Sequence, residues 1–131
     1  MKREPRPARR LRGAEARLAG RRAEWIAALL LMAKGYRILG MRLRTPLAEV
    51  DLAAQRGSVL AIVEVKRRRT LEEALLAVTP AQRERLRRAG GVLMARGGKN
   101  RPAIVRLDLV ALAPGRWPRH IADAWSEGRL G

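Results

Sequence analysis

Glu49-Val50-Asp51 and Val63-Glu64-Val65-Lys66 are two short runs in which charged side chains alternate with valine, and Gly57-Ser58 stands between them. A two-residue hairpin turn with glycine first is of type II′. Such a turn pairs Arg56 with Val59, and counting outward sets Asp51 opposite Glu64 and Glu49 opposite Lys66. Because side chains alternate along a strand, all four then share one face, with Val50, Leu52, Val63 and Val65 on the other. Moving the turn by one residue changes the partners but keeps the four together.

Carboxylates directly across a hairpin repel each other and weaken it. A cation between them removes that penalty. With no cysteine and one histidine in the chain, hard oxygen ligands suit magnesium or manganese and not zinc. Lys66, two residues past Glu64, has the charge to stabilise a developing phosphate anion or to help orient a water. The chain spells nearly every positive charge as arginine, yet keeps a lysine here, before Arg67-Arg68-Arg69. Ammonium and guanidinium are not interchangeable at a reactive site. Glu24 heads the apolar run Trp25-Ile-Ala-Ala-Leu-Leu-Leu31, where a buried carboxylate must be paired or metal-bound. Plainer readings compete: an alternating solvent face closed by a Glu49–Lys66 ion pair, and a Glu24 paired at the helix surface with Arg21 or Arg22.

The elements that must position these residues are read from period and punctuation. From Ala14 to about Ala33 the residues are strong helix formers, stopped by Lys34-Gly35; the second half is apolar nearly all round, which predicts a buried helix with Trp25 in the core. Tyr36 to Arg44, Glu49 to Ala54, Val59 to Lys66 and Ile104 to Leu112 read as strands. Thr70-Leu-Glu-Glu73 and Thr79-Pro-Ala-Gln82 both match the capping box, with Pro80 at a first helical position, so one or two helices run to about Arg88. Gly90-Gly91 and Gly97-Gly98 loosen the next stretch, and the tail from about Pro114 reads as irregular. The order α-β-β-β-α-β predicts one α/β domain over residues 13–131, a mixed central sheet flanked by helices. Residues 1–12 read as a flexible basic N-terminal arm.

Charge narrows the partners. Lys and Arg number 29 against 12 Asp and Glu, a net +17. Residues 1–22 hold nine of the basic and two of the acidic side chains, so most of the excess belongs to the body of the chain. A body this basic attracts polyanions, DNA first and RNA second. The run from Trp25 to Ala33 is too short to span a bilayer and too far from the start for a signal peptide, so the expectation is a soluble cytoplasmic protein without a membrane partner. Arg67, Arg68, Arg69, Arg83, Arg85, Arg87 and Arg88 are the candidates for phosphate contacts, since the arginine fork matches phosphate oxygens; a merely solvated basic face fits any single one of them equally well. With three Trp, one Tyr and no Phe, a base-stacking platform is disfavoured. Gly97-Gly98-Lys99 lacks nucleotide-loop spacing. His120 reads as a tail residue with a structural role or none, Trp117 and Trp125 as pins for the tail, and Arg106 and Asp108 as a pair on one face.

At these residues the chain resembles the YraN-like family of small bacterial proteins, which is grouped with the PD-(D/E)XK, restriction-endonuclease-like nucleases and compared with Holliday junction resolvases. The resemblance runs from about Gly20 to Trp125 and is carried by Gly20-Arg-Arg-Ala-Glu24, Lys34-Gly-Tyr-Arg-Ile-Leu39, Ala48-Glu-Val-Asp51-Leu52, Val63-Glu-Val-Lys66 and Arg106-Leu-Asp108. It implies a restriction-endonuclease-like fold in which Asp51 and Glu64 hold the metal, Lys66 is the catalytic lysine, and Glu24 is the acidic residue contributed by the first helix. Two positions depart from the pattern: Ala48 replaces a glycine, and Gln82 stands where many relatives have a basic residue. Glu49 and Gln82 are accessory candidates. The expectation is a Mg2+- or Mn2+-dependent endonuclease on double-stranded or branched DNA. The alternatives are a DNA- or RNA-binding module that keeps the fold without the catalysis, and a basic component of a ribonucleoprotein. Symmetric cutting would suit a homodimer, but no dimer surface is legible in the sequence.

Overall fold

Glycine is the residue that reaches left-handed backbone without strain, and in the computed structural model Gly57 takes φ +60° while Ser58 has no positive φ, as a type II′ turn requires. The structure describes residues 21–97 and 101–126; the expected arm over residues 1–12 and the expected first turns of the leading helix lie outside them. The turn joins β2 (Glu49–Arg56) to β3 (Val59–Arg67), paired antiparallel from Arg56↔Val59 to Leu52↔Val63. That is the register the turn dictates.

Strand β1 (Arg37–Arg44) lies outside β2, and β4 (Ile104–Leu112) lies beside β3 in the parallel sense. Strand β5 (Arg119–Ile121) closes the other edge, antiparallel to β4, so the mixed sheet runs β1-β2-β3-β4-β5. The leading helix, α1, is helical over the described residues 21–33. A parallel neighbour needs a crossover, supplied here by two helices, α2 (Leu71–Leu76) and α3 (Pro80–Ala95). Thr70 and Thr79 cap them as expected, each accepting from the backbone N–H three residues on. The architecture is a mixed α/β domain consistent with a restriction-endonuclease-like fold.

The order differs from expectation in two places. It is α-β-β-β-α-α-β-β: of the one or two helices expected the crossover holds two, the second running on to Ala95, and the tail beyond Pro114 is not irregular but contributes β5. Helix α3 also continues through Gly90-Gly91. A Cβ on Gly90 would stand 2.6 Å from Val105 Cγ1 and 2.9 Å from Ile62 Cγ1. The glycine lets the helix lie directly on the sheet.

Both faces of the sheet are covered. On one, Leu60, Ile62, Leu107 and Leu109 meet Ala74 of α2 and Leu86 and Ala89 of α3. On the other, Leu52, Ala61, Val63 and Val110 meet Ala27, Ala28 and Leu31 of α1, with Tyr36. Helix α1 is not buried all round: small Ala23, Ala27 and Ala28 face the sheet, while Trp25, Leu29 and Met32 are 60%, 61% and 54% exposed. Alanines permit close approach and leave no room for an indole, so Trp25 is not in the core. Trp117 does not pin the tail, being fully on the surface; Trp125 does, buried and donating from Nε1 to the Leu75 carbonyl at 3.0 Å.

Under α1's face of the sheet lies a polar knot. Asp108, fully buried, accepts both arms of the Arg106 guanidinium at 2.8 Å, His120 Nε2 at 2.8 Å and the Asp123 N–H at 3.0 Å. The expected Arg106–Asp108 pair is formed, and His120 joins it from β5. Among the described residues no helix is long and apolar enough to cross a membrane.

Candidate active site

The hairpin's ladder ends where its acids begin. Pairing between β2 and β3 stops at Leu52↔Val63, and the next inward-facing donor, the Val65 N–H, goes to Asp51 Oδ2 at 2.9 Å. A carboxylate thus takes the place of a ladder carbonyl, and the two strands part at the end that carries Asp51, Glu64 and Lys66. The disturbance extends to β1. Its register, Met41↔Leu52 and Leu43↔Val50, brackets Arg42 against Asp51, and Arg42 has φ +54°. A non-glycine residue there is disfavoured by roughly 1–2 kcal/mol. The irregularity also turns Val50 toward the α2/α3 core, whereas Leu52, Val63 and Val65 pack on the α1 side as expected. Alternation from a regular strand could not foresee that switch.

Strained Arg42 reaches across to α1. Its Nε donates to Glu24 Oε2 at 2.7 Å. Glu24 is therefore paired, with neither Arg21 nor Arg22 but with a β1 arginine, and its charge still falls on Asp51. Lys66 Nζ stands 3.7 Å from Glu64 Oε2, so the lysine pairs along its own strand and not with Glu49. Glu49 is exposed, contributing only its negative field to Asp51.

Burial first, and then the Asp51 charge, push the Glu64 carboxyl up to about 7 against the opposing pull of Lys66. The two carboxyls lie within hydrogen-bonding reach of one another. Asp51 is also raised, by burial first and then by Glu24 and Glu49, against the lowering hydrogen bond from Val65 and the charge of Lys66. Neither group is comfortable as an anion. In a cluster of this kind the raised carboxyls mark a shortage of positive charge.

That shortage bears on a metal. Among the described residues no three acidic or histidine side chains are arranged to hold an ion; the donor set is the Asp51–Glu64 pair. Magnesium binds through one or two carboxylates and fills its shell with water and substrate oxygens, so two under-compensated carboxyls just beyond the last ladder pair fit it.

The other predicted residues separate into groups. Gln82 is engaged in the capping box, its side chain accepting from the Thr79 N–H at 2.8 Å, so a helix start accounts for it. Arg83 donates to the Val78 carbonyl at 3.2 Å and lies over the Trp125 ring, a packing role. Arg87 and Arg88 pair with Glu84, and Arg85 is exposed. Arg67, Arg68 and Arg69 are exposed together at the end of β3, in a cleft they share with Arg22 and Arg116. Sequence reasoning missed Arg42 and Arg116, and considered Arg22 only as a partner for Glu24. Nothing local distinguishes them among 25 arginines, and only the fold brings them to the site.

Residues 23–112 match the model of the family described as "Uncharacterised protein family UPF0102". The chain is similar to a UPF0102 protein of Caulobacter vibrioides, 67% identical over 117 residues that cover 89% of this chain and 94% of the relative. It is 68% identical to one from Caulobacter sp. over 87% of this chain and 82% of the relative. A third, from Rhizobium meliloti, is 50% identical over 81% of this chain and 87% of its own length.

Proposed function

The chain belongs to the UPF0102 family, and from that footing we propose that it is a divalent-metal-dependent phosphodiesterase acting on DNA, of the restriction-endonuclease-like kind that its sequence motifs resemble. The observation that carries the reading is the pairing of Asp51 and Glu64 at the parted end of β2 and β3, with Lys66 beside them.

Asp51 and Glu64 would hold Mg2+ or Mn2+, which supplies Lewis acidity toward the scissile phosphate and its attacking water. The remaining work belongs to the chain's own side chains. The Val65 N–H fixes the direction of Asp51, so one ligand is oriented by backbone and not by a free rotamer. Lys66, partly exposed, presents an ammonium to the phosphate oxygen on which charge accumulates. Arg42 holds Glu24 in place, and the field of Glu24 at Asp51 adds negative potential that favours a divalent cation. The net +17 supplies the attraction that brings a polyanion to this body.

The test is cleavage of labelled plasmid, linear duplex and four-way-junction DNA with Mg2+, Mn2+ or EDTA. Cutting that requires the metal supports the reading, and the ranking of the three substrates identifies the preferred structure. DNA that is shifted but never cut under any metal contradicts it and leaves a binding module that keeps the fold.

A further inference from the structure

At the carboxyl ends of β3 and β4 lies a cleft of about 650 Å3, within the size range of small-ligand sites. Five arginines line it: Arg22 of α1, Arg67, Arg68 and Arg69 at the end of β3, and Arg116 between β4 and β5. Its floor is apolar, built from Ala23, Ile26, Leu112 and Ala113 with Pro114 and Pro118. Among the described residues no carboxylate lines it and none of the five arginines is ion-paired. Five unpaired like charges around one hollow repel each other. An anion in the hollow relieves that repulsion.

Position and surroundings narrow the anion. Arg67 and Leu112, paired across β3 and β4, are the last residues of the two parallel strands, and open α/β sheets take ligands outside such carboxyl ends. Arg67 follows Lys66 directly, and Arg22 precedes Glu24 by two residues, so the cleft and the acidic pair share β3 and α1. Trp117, between the lining residues Arg116 and Pro118, is 90% exposed. The sequence's few aromatics had argued against stacking, but the fold sets one of them at the rim of a basic hollow.

Charge argues against the chain itself as occupant: residues 1–20 carry a net +5 and a second copy +17. A polyanion with apolar faces fits best. An unpaired nucleotide presents phosphate to guanidinium forks and a flat base to apolar or aromatic surface, whereas the bases of intact duplex are stacked and cannot reach the floor. We propose that the cleft holds unpaired nucleotides of a DNA strand, which makes DNA with a single-stranded segment the substrate class of the neighbouring site. The consequence for cutting rests on the phosphodiesterase reading; the binding does not.

The experiment measures binding alone, by fluorescence anisotropy in EDTA at one fixed salt concentration, so that a failure of catalysis leaves it intact. The probes are a blunt duplex and the same duplex with an unpaired oligothymidine arm. The arm tightens wild-type binding by about tenfold, a fraction of what stacking one or two bases supplies. In the double variant Arg69→Ala/Arg116→Ala, which alters only exposed side chains, most of that gain disappears while blunt-duplex affinity falls by less than about threefold. Trp117→Ala lowers the gain with no effect on the blunt duplex. An arm that adds nothing in the wild type overturns the proposal. So does an equal loss on both probes in the arginine variant, which would reduce the cleft to general backbone attraction.

Discussion

Asp51 Oδ2 accepts the Val65 N–H at 2.9 Å, in the position where the hairpin ladder would have offered a carbonyl. One carboxylate therefore does two jobs: it satisfies a part-buried backbone donor and it stands next to Glu64. The two jobs separate by mutation. Asp51→Asn keeps an acceptor oxygen for Val65 and removes a buried charge, so the metal-free protein is at least as stable as wild type at pH 8. Asp51→Ala strands the donor and is less stable than the Asn variant by about 1–3 kcal/mol. Urea denaturation in EDTA checks it, and equal stability of the two variants contradicts the role given to Val65.

Glu64 gives the metal-free protein a pH dependence of definite sign. Its folded value, about 7, lies above the ordinary glutamate value of 4.5. Between those values the folded state keeps the proton and the unfolded state does not, so this group subtracts stability as pH rises from about 4.5 to 7, and the loss is complete above 7. Raised Asp51 acts in the same direction. Glu64→Gln should therefore gain on wild type between pH 5 and pH 8, by up to about 3 kcal/mol. The readout is the difference between the two urea midpoints at each pH; a difference that stays flat counts against the raised carboxyl.

The knot around Asp108 behaves oppositely. Burial alone would raise this carboxyl, but the Arg106 and His120 hydrogen bonds and the Asp123 N–H outweigh it and hold it below the ordinary range. Its contribution is present above an aspartate's usual value and is lost as pH falls through the lower folded one. Asp108→Ala strands His120 Nε2 and the Asp123 N–H and leaves the half-buried Arg106 guanidinium with only Tyr36 Oη, and costs about 1–3 kcal/mol, seen as a lower thermal midpoint. A loss under about 1 kcal/mol would mean the knot is incidental.

Two adjacent glycines in α3 should respond in opposite ways. Gly90→Ala drives a methyl into Val105 and Ile62 and destabilises by about 1–3 kcal/mol despite alanine's better helix propensity. Gly91→Ala meets nothing within 4 Å and is neutral or stabilising by up to about 1 kcal/mol. Chemical denaturation of the pair decides whether the close approach of helix to sheet is real.

Much of the candidate site was legible because a glycine-first turn fixes a register and a register fixes faces: Gly57-Ser58 sets Asp51, Glu64 and Lys66 on one face, and the family resemblance supplied their roles. The features that escaped depend on contacts far along the chain. Val50 changes face because Asp51 abandons regular pairing, which no alternation rule encodes. Trp25 was misplaced because apolar content says nothing about size, and against this sheet α1 needs alanines. Strand β5 is three residues long between prolines and a turn, too short for a period, and His120 has meaning only beside Asp108. Glu24 stood out as an anomaly, but its partner Arg42 looks like every other arginine until the fold is formed.

The central claim is that Asp51, Glu64 and Lys66 act together on a phosphodiester bond with a divalent cation. The most direct measurement is the rate of Mg2+- or Mn2+-dependent DNA cleavage by wild type, Glu64→Gln and Lys66→Ala, each shown by thermal unfolding to be folded and by anisotropy to bind DNA within about threefold of wild type. The account predicts cleavage by the wild type alone, with both variants down by at least about a hundredfold, the order seen when a group that stabilises transition-state charge is removed. Cleavage that survives in both variants, or no metal-dependent cleavage by the wild type on any DNA structure, would contradict it.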